Sequence, residues 1–358
     1  MFTLEHSVND ILANNIIMSH FEYLMPVFFL ELVPEELRHL PLKEVRHQVI
    51  MPWGVPYVAD DVIEGANQLI NLSQDSENYE FIKVWSEETP EDYFPASDGA
   101  RDGVGLLLIK QSFKPGRKLA LICPGGGYSA VSMLNEGIHT AKILVEKEYA
   151  VAILNYRCSP NRYPLPQEDL ALAIKRLKLL ARERGVTSEL LTIGFSAGGH
   201  LVASESCYHK EIEESLQKKL DKEFPGLAEN LRDISAKSDM TCLSYPVISF
   251  LSEHHEDSFI NLTGNDEILR EKLSIEKNVT ADFPKTFVWA CQDDQLVLAS
   301  NAERMYQALQ RISVDVSYRL YPTGGHGIAT AEGTSAEGWL NELVEYMSIE
   351  DEKIFSRI

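Results

Sequence analysis

From Tyr79 onward, short apolar runs alternate with longer segments whose apolar residues recur every three to four positions. The short runs predict strands over Phe81–Trp85, Gly105–Lys110, Leu119–Cys123, Val151–Tyr156, Leu190–Phe195, Thr241–Tyr245, Thr286–Ala290 and Val316–Tyr321. Several are apolar throughout, which suits strands covered on both faces rather than half-exposed ones. Between them, Leu170, Ile174, Leu177 and Ala181 fall on one helical face within Glu168–Arg184, and Met305, Leu309 and Ile312 do so within Ala302–Ile312. Strands alternating with amphipathic helices predict an α/β fold, a mostly parallel central sheet of about eight strands with helices on both faces.

Two stretches break that rhythm. Residues 1 to about 78 read as helix and loop, punctuated by Pro26, Pro34, Pro41, Pro52 and Pro56, and form an N-terminal accessory segment before a domain over 79–358. Lys210–Ala236 is highly charged, contains Pro225 and Gly226, and reads as a helical insertion at about 205–238 that is a candidate lid or cap. No internal repeat or low-complexity tract is present.

Composition narrows the function classes. With 44% hydrophobic and 24% charged residues, the 358-residue chain has the make-up of an ordinary globular protein. A formal net charge of −21 disfavours nucleic acid and anionic membrane surfaces as partners. Five scattered cysteines without CxxC spacing argue against a disulfide framework or zinc site and point to a reducing, cytoplasmic setting. Leu24–Val33 is interrupted by Pro26 and Glu31, so neither a signal peptide nor a membrane span is expected at the N-terminus.

Four segments carry chemistry. Gly194-Phe195-Ser196-Ala197-Gly198 matches G-x-S-x-G between a predicted strand and a predicted helix, the context in which a serine is held on a tight turn above a sheet edge. Without that context the pattern would be an ordinary glycine-serine turn. Cys123-Pro124-Gly125-Gly126-Gly127-Tyr128 follows the strand Leu119–Cys123, and its glycines leave backbone N–H groups unshielded. Gly126, Gly127 and Ala197 are therefore the expected donors to an oxyanion, the charge that builds on a carbonyl oxygen during acyl transfer. The glycine run does not continue into a phosphate-binding G-x-x-x-x-G-K-[ST] or G-x-G-x-x-G pattern.

Gly324-Gly325-His326-Gly327 follows the last strand, and among ten histidines only His326 sits in a glycine-rich loop at a late strand end. Its ordinary pKa of about 6.5 suits a general base. Asp293-Asp294 follows the strand Thr286–Ala290, and Asp294 is favoured as the carboxylate that orients His326 because Gln295-Leu296-Val297 comes next. Asp293 would then hold the loop. Tyr128 and Tyr163 are candidate walls for a substrate pocket. His254-His255-Glu256-Asp257 lacks the spacing of a metal site, His200 reads as a packing residue, Asp169 as a helix anchor and Cys123 as core.

With these motifs the chain resembles the α/β-hydrolase superfamily, in particular acetyl-xylan-esterase-like and hormone-sensitive-lipase-like carboxylesterases, over about residues 79–348. Asn155-Tyr156-Arg157, Tyr163-Pro164, Glu168-Asp169-Leu170 and Ser244-Tyr245-Pro246-Val247-Ile248 resemble that group's strand-end segments. Pro124 stands where a histidine often opens the glycine run. The resemblance implies a Ser196–Asp294–His326 triad acting on short-chain acyl esters, acetylated carbohydrates among them, with no metal or organic cofactor. It leaves a homodimer open. Two other readings remain: a serine peptidase of the prolyl-oligopeptidase kind, which normally adds a propeller or large partner domain, and a non-catalytic ligand-binding relative, which would be expected to lose Ser196 or His326.

Overall fold

In a computed structural model, residues 1–19, 33–45, 48–49, 59–89, 93 and 100–348 are described. Eight strands form one sheet: β1 (Tyr79–Lys83), β2 (Gly105–Ile109), β3 (Lys118–Cys123), β4 (Tyr149–Asn155), β5 (Leu190–Phe195), β6 (Met240–Ser244), β7 (Lys285–Cys291) and β8 (Val316–Tyr321). Their spatial order is β1-β2-β4-β3-β5-β6-β7-β8. The β1–β2 and β2–β4 pairs are antiparallel, and every pair from β4 to β8 is parallel.

The burial of each strand follows from its place. β4, β5 and β6 are buried at every position and are apolar nearly throughout, whereas the edge strands β1 and β8 are only partly covered. All eight expected strands are present, with ends shifted by at most about two residues where an apolar run continues past the pattern.

Helices cover the sheet and link its strands: α1 (Ala59–Gln74), α2 (Thr140–Glu146), α3 (Leu165–Glu183), α4 (Ala197–Glu223), α5 (Pro225–Leu231), α6 (Glu256–Thr263), α7 (Glu267–Lys272), α8 (Ser300–Arg311) and α9 (Trp339–Ser348). Before α1, the turns Val8–Leu12, Asn15–Ser19 and Leu42–Val45 pack apolar side chains such as Val8, Ile11, Leu42 and Val45 into the same core.

Lys210–Glu223, read from its charge as the start of an insertion, is the second half of α4, and α5 follows it. Its apolar positions Ile212, Leu216 and Leu220 are buried, and its charges find partners on α3, where Lys175 Nζ lies 2.7 Å from Glu213 and Lys219 pairs with the buried Glu168. At 1.5 Å rise per residue this stretch begins about 20 Å along the helix from Ser196. It braces the outside of the domain.

Asp169, on α3, anchors that helix to the sheet. It forms a buried pair with Arg157 at 2.6 Å and accepts from the Trp85 indole at 2.6 Å.

Candidate active site

Parallel strands bring their carboxyl ends to one edge of a sheet, and open α/β sheets place ligands there. Here the residues following β3, β5, β6, β7 and β8 are, in turn, the loop 124–128, Ser196, Tyr245, Asp293-Asp294 and the loop 322–329.

Ser196 has φ 51° and ψ −119°, a strained backbone for a residue with a side chain and one that costs about 1–3 kcal/mol. Surrounding hydrogen bonds fix it: Ser196 N–H donates to Ser244 O at 3.0 Å, and Val247 N–H donates to Ser196 O at 3.1 Å. The turn also requires close backbone approach. A Cβ at Gly198 would lie 2.1 Å from Cys123 O and 2.4 Å from Pro124 O, so only glycine lets α4 begin against the end of β3.

His326 Nε2 lies 2.8 Å from Ser196 Oγ, and His326 Nδ1 lies 2.7 Å from Asp294 Oδ2. Asp294 is buried, and its Oδ1 accepts the N–H groups of Leu296 and Val297, each at 2.9 Å. Those bonds fix the carboxylate and leave Oδ2 for the imidazole. Asp293 faces solvent and accepts from Gly325 N–H at 2.8 Å and Gly324 N–H at 3.2 Å. These bonds, the Gly325 one foremost, hold its carboxyl below the usual range.

Gly126 has φ 130°, and a Cβ there would lie 2.2 Å from Ala130 O. Among the described residues, no acceptor takes the N–H of Gly126, Gly127 or Ala197. Ala197 is also the first residue of the long α4, whose N-terminal dipole favours negative charge. Gly125 is different: its N–H donates to Glu136 Oε2 at 2.6 Å.

Tyr128, expected as a pocket wall, lies instead in the core. It is fully buried, with its phenol 2.9 Å from His200 Nδ1, and His200 Nε2 is 2.8 Å from Leu273 O. Burial pushes His200 down to about 4, so it is a neutral link between the glycine loop and α4. The reason is local: Tyr128 has φ 57°, which turns its side chain inward at the end of the loop. Tyr163 is half-buried beside Lys272, whose Nζ is 5.2 Å from its ring.

Three residues unmarked or set aside in the sequence reach this site. His255 caps α6, its Nδ1 accepting from Ser258 N–H at 3.3 Å, and its Cε1 would stand 3.7 Å from a Cβ at Gly127. Asn261 of the same helix donates to Gly127 O at 2.9 Å. Glu136 is buried in a π-helical turn, Met133–His139. Its place just after the glycine loop, between the apolar Met133-Leu134 and Ile138, was the available sign of it. Among the described residues no group of three metal-binding side chains converges, and His254 pairs with Glu256.

Residues 107–309 match the family described as BD-FAE. The chain belongs to the BD-FAE family. Its curated relatives include endo-1,4-beta-xylanase B of Butyrivibrio fibrisolvens, 28% identical over 264 residues, which are 72% of this chain and 39% of that protein. Another is the acetylxylan esterase of Xylanibacter ruminicola, 25% identical over 63% of this chain and 44% of that protein. The chain thus spans about 40% of the length of these relatives.

Among solved structures, an acetyl ester-xyloside bifunctional hydrolase from Caldicellulosiruptor lactoaceticus superposes with a TM-score of 0.59 at 24% identity, covering 75% of this chain and 93% of that one. The carboxylesterase Cest-2923 of Lactobacillus plantarum gives 0.52 at 20% identity, covering 68% and 91%. These likenesses fix the fold as an α/β hydrolase, as the motifs implied. No helix among the described residues is long and apolar enough to cross a membrane.

Proposed function

We propose that this BD-FAE member is a serine carboxylesterase that hydrolyses short-chain acyl esters, acetylated carbohydrates among its substrates, through a covalent acyl-enzyme. The observation that carries this reading is the continuous run of hydrogen-bonding distances from Asp294 through His326 to Ser196, 2.7 Å and 2.8 Å, beside three backbone N–H groups that no acceptor among the described residues takes.

In the proposed cycle Ser196 Oγ attacks the ester carbonyl while His326 Nε2 takes the hydroxyl proton. Asp294 holds the imidazole in the tautomer that leaves Nε2 free to accept, and stabilises the cation that forms. The negative carbonyl oxygen is met by the N–H groups of Gly126, Gly127 and Ala197. Loss of one such donor typically costs about 2.7–4 kcal/mol of transition-state stabilisation. His326 returns the proton to the departing alcohol, and water, activated by the same base, releases the acid.

The substrate class draws on the printed names of relatives, an acetylxylan esterase and an acetyl ester-xyloside hydrolase. The five free thiols support residence in a reducing compartment such as the cytoplasm. The test is a panel of acetylated xylo-oligosaccharides, p-nitrophenyl acetate, longer p-nitrophenyl esters and a prolyl peptide substrate. Hydrolysis of acetyl esters with higher kcat/KM than long-chain esters or peptides is expected. Turnover of the peptide alone would overturn the reading.

A further inference from the structure

One buried carboxylate outside the proposed triad bonds segments that follow two strands and reaches a third through a tyrosine. Glu136 Oε2 accepts Gly125 N–H at 2.6 Å, on the loop after β3. Its Oε1 accepts the Tyr245 hydroxyl at 2.9 Å, on the segment after β6. Tyr245 Oη in turn accepts Ala329 N–H at 3.1 Å, on the loop after β8, and the Tyr245 ring meets the His326 imidazole at 4.8 Å with planes 63° apart. The neighbouring Asn135 donates to Gly327 O at 2.8 Å, next to His326. Gly125 is packed between Glu136 and the elbow: a Cβ there would lie 3.0 Å from Glu136 Oε2 and 2.8 Å from Ser196 Cβ.

We propose that Glu136 is a positioning residue that aligns His326 with Ser196, sets the glycine loop so that Gly126 and Gly127 rather than Gly125 face the oxyanion, and favours the His326 cation electrostatically. This rests on the ester-hydrolysis reading above and names a further residue of that same site.

The chemistry of the partners explains why a carboxylate stands there. Gly125 and Tyr245 both donate, and an ionised carboxylate accepts on both oxygens. A glutamine would turn an NH2 group toward one of those donors and leave a buried clash of donors. Burial raises the Glu136 pKa, while Gly125 N–H, the charge of His326 and the Tyr245 hydroxyl act in the opposite direction. The other titratable groups around it are the buried Tyr156, whose hydroxyl donates to Pro124 O at 2.7 Å, and Asp294 behind the imidazole. Glu136 takes no proton in the cycle. Its link to the imidazole runs through Tyr245, which donates to Glu136 and whose ring meets His326, while Asp294 bonds the imidazole directly.

The experiment compares wild type, Glu136→Gln, Glu136→Asp and Tyr245→Phe. The measurements are steady-state hydrolysis of p-nitrophenyl acetate from pH 5 to 9, the rate of fluorophosphonate labelling, and thermal melting. The positive charge that develops during acyl transfer is held less well without this carboxylate, so the acidic limb of the kcat/KM profile in Glu136→Gln should move to lower pH. At the plateau kcat should fall about 10–100-fold with KM within about twofold, as expected for loss of alignment in the transition state. Glu136→Asp, which keeps the charge, should return the limb toward its wild-type position.

A folded Glu136→Gln with wild-type kcat and an unmoved limb overturns the proposal, and so does a fall in kcat that tracks only a lower melting temperature. If Glu136→Gln does not fold, Tyr245→Phe decides: it keeps the ring on His326 but removes the hydroxyl joining Glu136 to Ala329, so kcat should drop at least about threefold. Wild-type kcat in that variant overturns the proposal. Labelling separates the two levels: a wild type that neither labels nor hydrolyses overturns the ester reading together with the proposal, whereas equal labelling of wild type and Glu136→Gln overturns the proposal alone.

Discussion

Asp293 and Asp294 are adjacent in the chain and hold different parts of the same loop. Asp294 Oδ2 takes the His326 imidazole at 2.7 Å, while the Asp293 carboxylate accepts Gly325 N–H at 2.8 Å and Gly324 N–H at 3.2 Å. One orients the ring, and the other tethers the backbone that carries it. Asp294→Asn should therefore lower kcat on p-nitrophenyl acetate by about 10⁴-fold, because the wrong imidazole tautomer is favoured. Asp293→Asn should cost about tenfold, since the solvent-facing tether can be replaced in part by water. Similar losses for the two variants would contradict this division.

The elbow makes a steric prediction. At Gly198 an added Cβ meets two backbone carbonyls, Cys123 O at 2.1 Å and Pro124 O at 2.4 Å, and neither can move without disturbing β3. Gly198→Ala should destabilise the fold by more than about 3 kcal/mol or abolish soluble expression. Urea unfolding followed by circular dichroism measures it, and a loss under about 1 kcal/mol would show that the elbow relaxes.

Stability should also depend on pH through a residue outside the chemistry. Glu205 is fully buried on α4, and neither carboxyl oxygen has a hydrogen-bond partner among the described residues. Burial foremost, and then the Glu213 carboxylate, push its pKa up to about 8, against the opposing charges of Lys178 and Lys237. A raised pKa means that the folded state keeps a proton the unfolded chain releases. This group's contribution is full below pH about 4.5 and is lost as pH rises through about 8, at about 1.4 kcal/mol for each unit crossed. Glu205→Gln should flatten that decline in urea midpoints taken between pH 5 and 8. An unchanged slope would contradict the assignment.

Much of this was legible in the sequence because the central strands are short apolar runs followed by chemistry-bearing turns, as in Leu190–Phe195 before Ser196 or Leu119–Cys123 before the glycine loop. The strand-end position of Ser196, Asp294 and His326 follows from that punctuation. Two things did not follow. Tyr128 and Glu136 depend on which way a residue faces, in one case through a positive φ and in the other through a π-helical turn. Spacing along the chain does not encode either direction.

His255 illustrates the same limit, and it yields a prediction. Because Nδ1 accepts from Ser258 N–H, the neutral ring carries its proton on Nε2, and its Cε1 lies against Gly127. Burial foremost lowers its pKa and favours that neutral form. His255→Asn keeps an acceptor for the α6 cap and removes the Nε2 donor. The expected result is a KM for an acetylated xylo-oligosaccharide raised about 5–20-fold with the KM for p-nitrophenyl acetate nearly unchanged. Equal effects on both substrates would remove His255 from substrate recognition.

The most direct test of the proposed chemistry is covalent capture. Wild type, Ser196→Ala and His326→Ala are incubated with a fluorophosphonate, and the modified peptide is identified by mass spectrometry. The adduct should map to Ser196 in wild type, be absent in Ser196→Ala, and form at least about 10³-fold more slowly in His326→Ala. Labelling of Ser196→Ala at the wild-type rate, or an adduct on another residue, would contradict the assignment of Ser196 as the nucleophile.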